Sequence, residues 1–449
     1  PGMIADKADA VFLPIRIDGM EHTCFSKVEK RPRLRLFPKV TITILKPVAL
    51  DVPEKIDHRQ RRKYLSTKLY DIMCNMLVES SNYKSPIFQS LIDSSKLYGK
   101  GTKIIEDMEN NLTYRQLLLK SFVLGKMISK NTSDGEYVGL MMPNSVAGCV
   151  SFSAMQAFGR VPAMINFTSG ISNIISSCNT LRLRTIYTAR KFIEKAELGE
   201  LAENLEKHFQ VIYLEDLVPQ ITVMDKITAL LGSFFPNFYY SKIQSEDFDH
   251  NKPAVVLFTS GTEGEPKAVL LSHHNIQSNR SQISARFDFG IENIAFNALP
   301  IFHCFGMTAM ILMLNRGIKT FFYPSPLHYK VIPEWIYDLG ATILFSTDTF
   351  LNGYAKSADP YDFYALRYVI AGAEKLKPET RKTWFDKFGV RLLEGYGVTE
   401  TSPVISANSF MHDRPGTVGR LMPIMEYAIK PFENMRQGGL LCVKGPNVM

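Results

Sequence analysis

Apolar residues first gather in two short runs. Val11-Phe12-Leu13-Pro14-Ile15-Arg16-Ile17 is mostly apolar, and Val40-Thr41-Ile42-Thr43-Ile44-Leu45 alternates in part and is rich in β-branched residues. Both patterns predict strands. Residues 1–50 hold too little else to make a complete domain. From Arg59 the period changes. Leu65, Leu69, Ile72, Met73, Met76 and Leu77 recur at spacings of three and four, which predicts a helix with one apolar face. Ser80-Ser81-Asn82 ends it, so residues 51–80 read as a linker helix between two units. Beyond residue 81 strand-like and helix-like segments alternate to the end, the mark of an α/β fold. Strands are expected at 137–142, 254–258, 268–271, 341–345, 368–370 and 390–393, and Pro143-Asn144-Ser145 is expected to cap a helix.

Two long stretches without charge, 137–159 and 293–315, are long enough to cross a bilayer. The first contains Pro143, Asn144, Ser145 and Gln156, and the second Pro300 and His303. A spanning helix is more continuously apolar, so both are expected in the core. The 449 residues are 45% hydrophobic and 21% charged, which fits a globular chain of several units. It opens on Pro1 rather than methionine, as a fragment would. Six cysteines are scattered with no C-x-x-C pair, which excludes a zinc cluster by spacing and suits a reducing compartment. The net charge of +8 is uneven. Residues 1–63 carry 14 Lys/Arg against 8 Asp/Glu, leaving the remainder nearly neutral. A basic end fits a solvated face, an anionic membrane surface or nucleic acid; charge confined to one end makes nucleic acid the weakest of these.

Four blocks carry chemistry. Thr259-Ser260-Gly261-Thr262-Glu263-Gly264-Glu265-Pro266-Lys267 follows one predicted strand and precedes another. Hydroxyls and backbone amides freed by glycine can wrap a polyphosphate, and Lys267 adds a point charge. It is not a Walker A loop, which needs G-x-x-x-x-G-K-[ST] entering a helix. The second block is Glu394-Gly395-Tyr396-Gly397-Val398-Thr399-Glu400-Thr401, read as the exit from a strand. Tyr396 can stack on a base, Thr399 can bond a phosphate oxygen, and Glu400 is a hard ligand for Mg²⁺. The third, Ala371-Gly372-Ala373-Glu374, leaves another strand end. Ligands in α/β sheets lie outside the carboxyl ends of strands, so these loops suggest one crevice. The fourth is Pro300-Ile301-Phe302-His303-Cys304-Phe305-Gly306, where a lone histidine in an apolar run fits a packed core or a site.

Together and in this order the blocks resemble the adenylate-forming superfamily of acyl-CoA synthetases, luciferases and peptide-synthetase adenylation domains. Gly416-Thr417-Val418-Gly419-Arg420 is similar to its later G-x-x-G-R block, and the likeness runs from about residue 81 to 449. Upstream, Gly2-Met3-Ile4-Ala5 and Phe12-Leu13-Pro14-Ile15-Arg16-Ile17-Asp18-Gly19 resemble the last block of glycerolipid acyltransferases. The pairing, with Glu263 where most relatives have threonine, is similar to the bacterial bifunctional acyltransferase/acyl-[acyl carrier protein] synthetases. This implies an acyltransferase remnant at 1–50 and an adenylation domain at 81–449 built of stacked β-sheets flanked by helices. No histidine has aspartate five residues on, so the acyltransferase motif H-x-x-x-x-D is not found. The family's ribose-binding aspartate, its hinge and a small C-terminal domain with a catalytic lysine would follow residue 449. A chain without them is expected to hold nucleotide but to be nearly inactive.

The resemblance implies that ATP and Mg²⁺ are used to convert a fatty acid to its acyl adenylate, and that the acyl group then passes to the thiol of acyl carrier protein. It assigns the β- and γ-phosphates to Thr259, Ser260, Gly261, Thr262, Gly264 and Lys267. Adenine goes to Gly372, Ala373, Glu374, Glu394, Gly395, Tyr396 and Gly397, the α-phosphate to Thr399 and Mg²⁺ to Glu400. His303, Lys267 and Glu400 are the catalytic candidates, His303 beside the acyl carboxylate. Residues 302–310 contain no acid to bind an amino group, which suits an uncharged acyl chain. A lysophospholipid served by the upstream unit and an anionic membrane surface are the further partners, and nucleic acid is not. The implied place is the cytoplasmic face of the bacterial inner membrane. An acyl-CoA ligase for fatty or aryl acids and a non-catalytic nucleotide-binding module are the alternatives.

Overall fold

A computed structural model describes residues 2–26, 34, 36–53, 56–244, 248–260, 266–432 and 438–449. Two large sheets carry the chain from residue 103 onward. The six-stranded sheet runs in the order Pro266–Ser272, Pro253–Ser260, Val161–Met164, Tyr137–Leu140, Thr185–Thr188, Gln210–Tyr213. Its neighbours are parallel except for the antiparallel pair at the 266–272 edge. The nine-stranded sheet runs Arg420–Leu421, Val404–Ala407, Leu392–Gly397, Tyr368–Ala371, Ile343–Ser346, Ile294–Asn297, Lys319–Phe322, Lys103–Glu106, Asn111–Thr113. Its six middle strands are parallel. Strands such as Val161–Met164 and Ile343–Ser346 are buried at every position, as expected where helices cover both faces of a parallel sheet.

One buried cluster ties the sheets together. It takes Leu140, Val255 and Leu257 from the first sheet and Ile104, Ile105 and Phe322 from the second, joined through the helices Val146–Ala157 and Cys304–Asn315. These helices lie in the two uncharged stretches, and both are almost wholly buried. Among the described residues, no helix is long and apolar enough to cross a membrane. The strand expected at 390–393 instead runs from Leu392 through Gly397. In the segment read from sequence as an exit loop, Glu394 pairs in parallel with Ala371 and Gly395–Gly397 pair antiparallel with Val404–Ala407. That pairing satisfies backbone groups which a bare loop would leave to water.

At the N-terminus, Ile15–Asp18 and Thr41–Ile44 form a two-stranded antiparallel sheet, with Ile15 opposite Ile44 and Ile17 opposite Ile42. All four isoleucines are exposed. Arg31, Arg33 and Arg35 of the basic run lie outside the described residues. The helix His58–Glu79 starts where the Asp57 carboxylate accepts the Gln60 amide (2.8 Å). Its first half meets the N-terminal segment, where Arg61 pairs with Asp6 (2.6 Å), and its second half docks on the 81–449 unit. Asp71 meets both Arg286 (3.4 Å) and Arg420 (2.5 Å), and Asn75 accepts the Ile424 amide (3.1 Å). Its packed face is rotated from the expected one: Leu65, Cys74, Met76 and Val78 are buried, while Met73 and Leu77 are exposed.

Candidate active site

The site lies between the two sheets. The strands Pro253–Ser260 and Pro266–Ser272 form a hairpin in which Thr259 pairs with Lys267 and Ser260 with Pro266. Directly paired residues project on one face, so the Thr259 hydroxyl and the Lys267 ammonium stand side by side. Lys267 is exposed, and among the described residues no carboxylate lies within ion-pair distance of it. Gly261, Thr262 and Gly264 fall outside the described residues, as does the Ser260 side chain.

His303 comes from the other sheet. It is the N-cap of Cys304–Asn315, where its Nδ1 accepts the Phe305 amide (3.3 Å). That bond leaves the neutral ring's proton on Nε2, the nitrogen free to meet a ligand. The ring stays accessible at the crevice mouth, but its apolar surroundings lower its pKa below the ordinary histidine range. The loop bearing it is fixed by Asn144. The Asn144 Nδ2 donates to the Leu299 carbonyl (2.5 Å) and its Oδ1 accepts the Ile301 amide (2.8 Å). Ser145, not Asn144, caps the helix Val146–Ala157, accepting the Gly148 amide (3.1 Å). Gly306 allows the tight turn: a Cβ there would stand 2.3 Å from the Pro300 carbonyl oxygen.

Two cavities meet at His303 and Cys304. The larger, about 370 Å³, is walled by Asn166, Ser169, Thr259, Pro266, His303 and Thr399 among others. The smaller, about 80 Å³, is a mostly apolar slot. Phe287, Leu312, Phe345 and Ile370 line it, with Gly372, Ala373, Gly395, Tyr396 and Gly397 along one side. Ala373 has a φ of +64°, a left-handed conformation that costs a residue with a Cβ about 1 kcal/mol or more. The Thr399 hydroxyl donates to the buried Cys304 Sγ (3.4 Å), joining the second block to the fourth. Burial pushes the Cys304 thiol pKa up, against the Thr399 hydrogen bond, and the nearby Glu400 charge adds to the rise.

Glu400 is exposed on the turn Thr399–Thr401, beside Thr399. This turn is held from behind. The Met449 amide donates to the Glu400 carbonyl (2.9 Å), and Asn447 Nδ2 donates to the Thr401 carbonyl (2.7 Å). Gln282 in turn holds Asn447 Oδ1 (3.1 Å). Two candidates have other partners. The Glu374 carboxylate accepts the Thr349 hydroxyl (2.7 Å) and amide (3.2 Å). The buried Glu394 is ion-paired with Arg381 and accepts the Gly416 amide (3.2 Å). Neither lines the two cavities.

The structure thus brings Thr259, His303 and Thr399 to one chamber, with Lys267 and Glu400 at its margins. It brings Gly372, Ala373, Gly395, Tyr396 and Gly397 to the adjoining slot. Sequence reasoning missed Asn144, Cys304 and Asn447. The signal available for Asn144 was a polar side chain inside an apolar run, which must find partners once buried. The donor set suits a polyphosphate: hydroxyls, an exposed ammonium and a nearby carboxylate. Among the described residues no three His, Cys, Asp or Glu side chains gather as a metal cage. Magnesium needs none, since it commonly uses one or two carboxylates, waters and substrate phosphates.

The chain is similar to known proteins in sequence and in fold. The chain is 26% identical over 403 residues to a long-chain-fatty-acid–CoA ligase of Escherichia coli O6:H1, covering 81% of this chain and 70% of that one. It is 27% identical over 344 residues to a probable 4-coumarate–CoA ligase of Dictyostelium discoideum, covering 71% and 61%. The crystal structure of ATP-bound MatB from Rhodopseudomonas palustris superposes with a TM-score of 0.64 at 25% identity, covering 81% and 70%. The family model described as AMP-binding enzyme matches residues 94–449, so the chain belongs to the AMP-binding enzyme family.

Proposed function

We propose that this chain carries the nucleotide and acyl sites of an enzyme that activates a fatty acid with ATP, forming the acyl adenylate and pyrophosphate, as the first half of an acid–thiol ligase reaction. The observation that carries this is the meeting at His303 of a polar chamber beside Thr259, Lys267 and Thr399 with an apolar slot free of acidic residues. AMP-binding enzymes use ATP with Mg²⁺. When bound, this pair supplies an electrophilic α-phosphate and a charge that offsets the phosphate oxygens. In this reading Thr259 and Lys267 hold the terminal phosphates, Thr399 takes an α-phosphate oxygen, and Glu400 carries the metal. His303 Nε2–H orients the acyl carboxylate, whose chain lies along Phe345 and Leu312. The buried slot keeps water from the activated acyl group.

For the second half we propose the thiol of acyl carrier protein as acceptor. The support is the N-terminal likeness to acyltransferases, which also points to lysophospholipid as the eventual acyl acceptor and to the cytoplasmic face of a bacterial inner membrane. Coenzyme A is the second reading, favoured by the names of the E. coli and Dictyostelium relatives. ATP–pyrophosphate exchange across a panel of carboxylic acids, by the protein carrying the family's C-terminal lysine, tests the first half. Exchange that depends on fatty acids is expected, and nucleotide binding without exchange for any acid would overturn it. Thioester formation with holo carrier protein but not with coenzyme A is expected for the second half.

A further inference from the structure

The helix Val223–Phe234 buries its small side chains and exposes its large ones. Ala229, Gly232 and Ser233 face inward, whereas Val223, Met224, Ile227, Leu230, Leu231 and Phe234 are each 46% to 73% exposed. The following helix, Pro236–Ile243, extends the patch with Phe238 at 68%, and Phe235 between them is 66% exposed. Gly232 lets the two helices close on each other, since a Cβ there would stand 2.8 Å from the Tyr239 ring. An amphipathic surface helix shows the opposite arrangement, and a contiguous apolar patch on a chain surface marks an interaction site.

Cations touch the patch's rings and backbone, while the nearest exposed acid, Asp93, reaches the second helix only through Gln89 and Asn237. The Arg115 guanidinium lies 5.2 Å from the centre of the Phe234 ring, and Lys242 Nζ lies 5.6 Å from that of Phe238. Lys100 donates to the Phe234 carbonyl. Lys226 and Lys120 stand on an apolar groove of about 670 Å³ that runs beside the first helix, with Val123, Leu217 and Leu230 in its walls. The single acid between residues 218 and 244 is Asp225. It is buried, caps the helix with Thr222 and is neutralised by Lys126 (2.8 Å). Apolar and aromatic side chains framed by Lys and Arg are what an anionic bilayer surface accepts, the apolar part entering the acyl boundary and the cations meeting lipid phosphates. At 12 residues the first helix spans about 18 Å, too short to cross a hydrocarbon core of about 30 Å.

We propose that the helices Val223–Phe234 and Pro236–Ile243 form a docking face that lies in the interface of an anionic lipid bilayer. This stands independently of the adenylation reading. Co-sedimentation with vesicles containing phosphatidylglycerol tests it, beside vesicles of phosphatidylcholine alone. Binding that needs the anionic lipid and weakens in high salt is expected; equal binding to both vesicles overturns the proposal. Combining Leu231→Ser, Phe235→Ser and Phe238→Ser is expected to reduce vesicle partitioning roughly tenfold or more at an unchanged melting temperature. A triple variant that binds like the parent overturns it. The pair Ile17→Ser and Ile42→Ser, on the exposed N-terminal sheet, is expected to leave most binding in place, and loss of binding in that pair with retention in the triple variant overturns it. Phe238→Trp reports insertion directly: quenching by lipids brominated on their acyl chains is expected, and its absence on bound vesicles overturns the proposal. A parent chain that sediments as a dimer, becomes monomeric in the triple variant and ignores vesicles would assign the face to self-association instead.

Discussion

At the scale of single residues, the hairpin register puts an exposed ammonium, Lys267, beside a hydroxyl at the chamber wall, and the clamped turn presents an exposed carboxylate, Glu400. Neither side chain packs a core. In the protein carrying the C-terminal lysine, Lys267→Ala and Glu400→Gln are therefore expected to slow ATP–pyrophosphate exchange about ten- to a hundredfold, the loss of a charge-assisted contact of about 1.5–3 kcal/mol. Melting should be unchanged, and parental exchange rates in both would remove these residues from the site. Asn144 behaves differently because both ends of its amide are used. Asn144→Ala leaves the buried Ile301 amide and Leu299 carbonyl without partners, at about 1–3 kcal/mol. Lower stability together with slower exchange is expected, since the released loop carries His303; a loss of stability alone would show that the loop keeps its shape. The polar blocks were legible in sequence because hydroxyls, glycines and charges cluster there against expectation. The partners of Glu374 and Glu394 were not, since Thr349 and Arg381 lie outside the blocks, on neighbouring helices whose approach the sequence pattern does not specify.

Among the elements, the strands at 137–140, 253–260, 343–346 and 368–371 were legible as apolar runs. Lys319–Phe322 and Gln210–Tyr213 were not anticipated, being short and flanked by helical patterns of similar composition. The helix His273–Arg286 gives a pH-dependent contact. His273 Nδ1 accepts the Ile87 amide (3.2 Å) at the start of the helix Ile87–Tyr98, and burial lowers its pKa from 6.5 to about 4. The folded state keeps this ring neutral while the unfolded chain takes up a proton below pH 6.5. Stability is thus intact above that value and falls as pH drops toward 4, by about 2 kcal/mol between pH 7 and 5. Urea unfolding at the two pH values checks this. His273→Asn, which keeps an acceptor but cannot titrate, is expected to flatten the difference, and an unchanged slope would assign it to other groups.

Across the whole molecule, Asp71 fastens the helix His58–Glu79 to elements more than two hundred residues away. Its two oxygens separate Arg286, whose side chain is 7% exposed, from Arg420. Asp71→Ala brings two guanidinium groups together without a counter-charge, and the site's partial exposure limits the cost to about 1–3 kcal/mol. Faster hydrogen exchange along 58–79 is expected, with a lower melting temperature; exchange like the parent's would mean that apolar packing alone holds the helix. The α/β class was legible from alternation. The rotated packing of this helix was not, because a single pattern of threes and fours does not say which neighbour arrives or where a buried cysteine replaces a leucine in the contact.

Cys304 stands where the two chambers meet, and it belongs to the chain without any engineering. Its thiol is buried and its pKa raised, so thiolate is scarce and alkylation should be slow. Cys24, which is exposed, should react first. The labelling rate at Cys304 then becomes a clock for how often the partition between the chambers loosens. A nucleotide seated by Thr399 and a fatty acid along Phe345 would each slow that clock from a different side, so peptide mapping after timed alkylation could order the arrival of the two ligands without following any turnover.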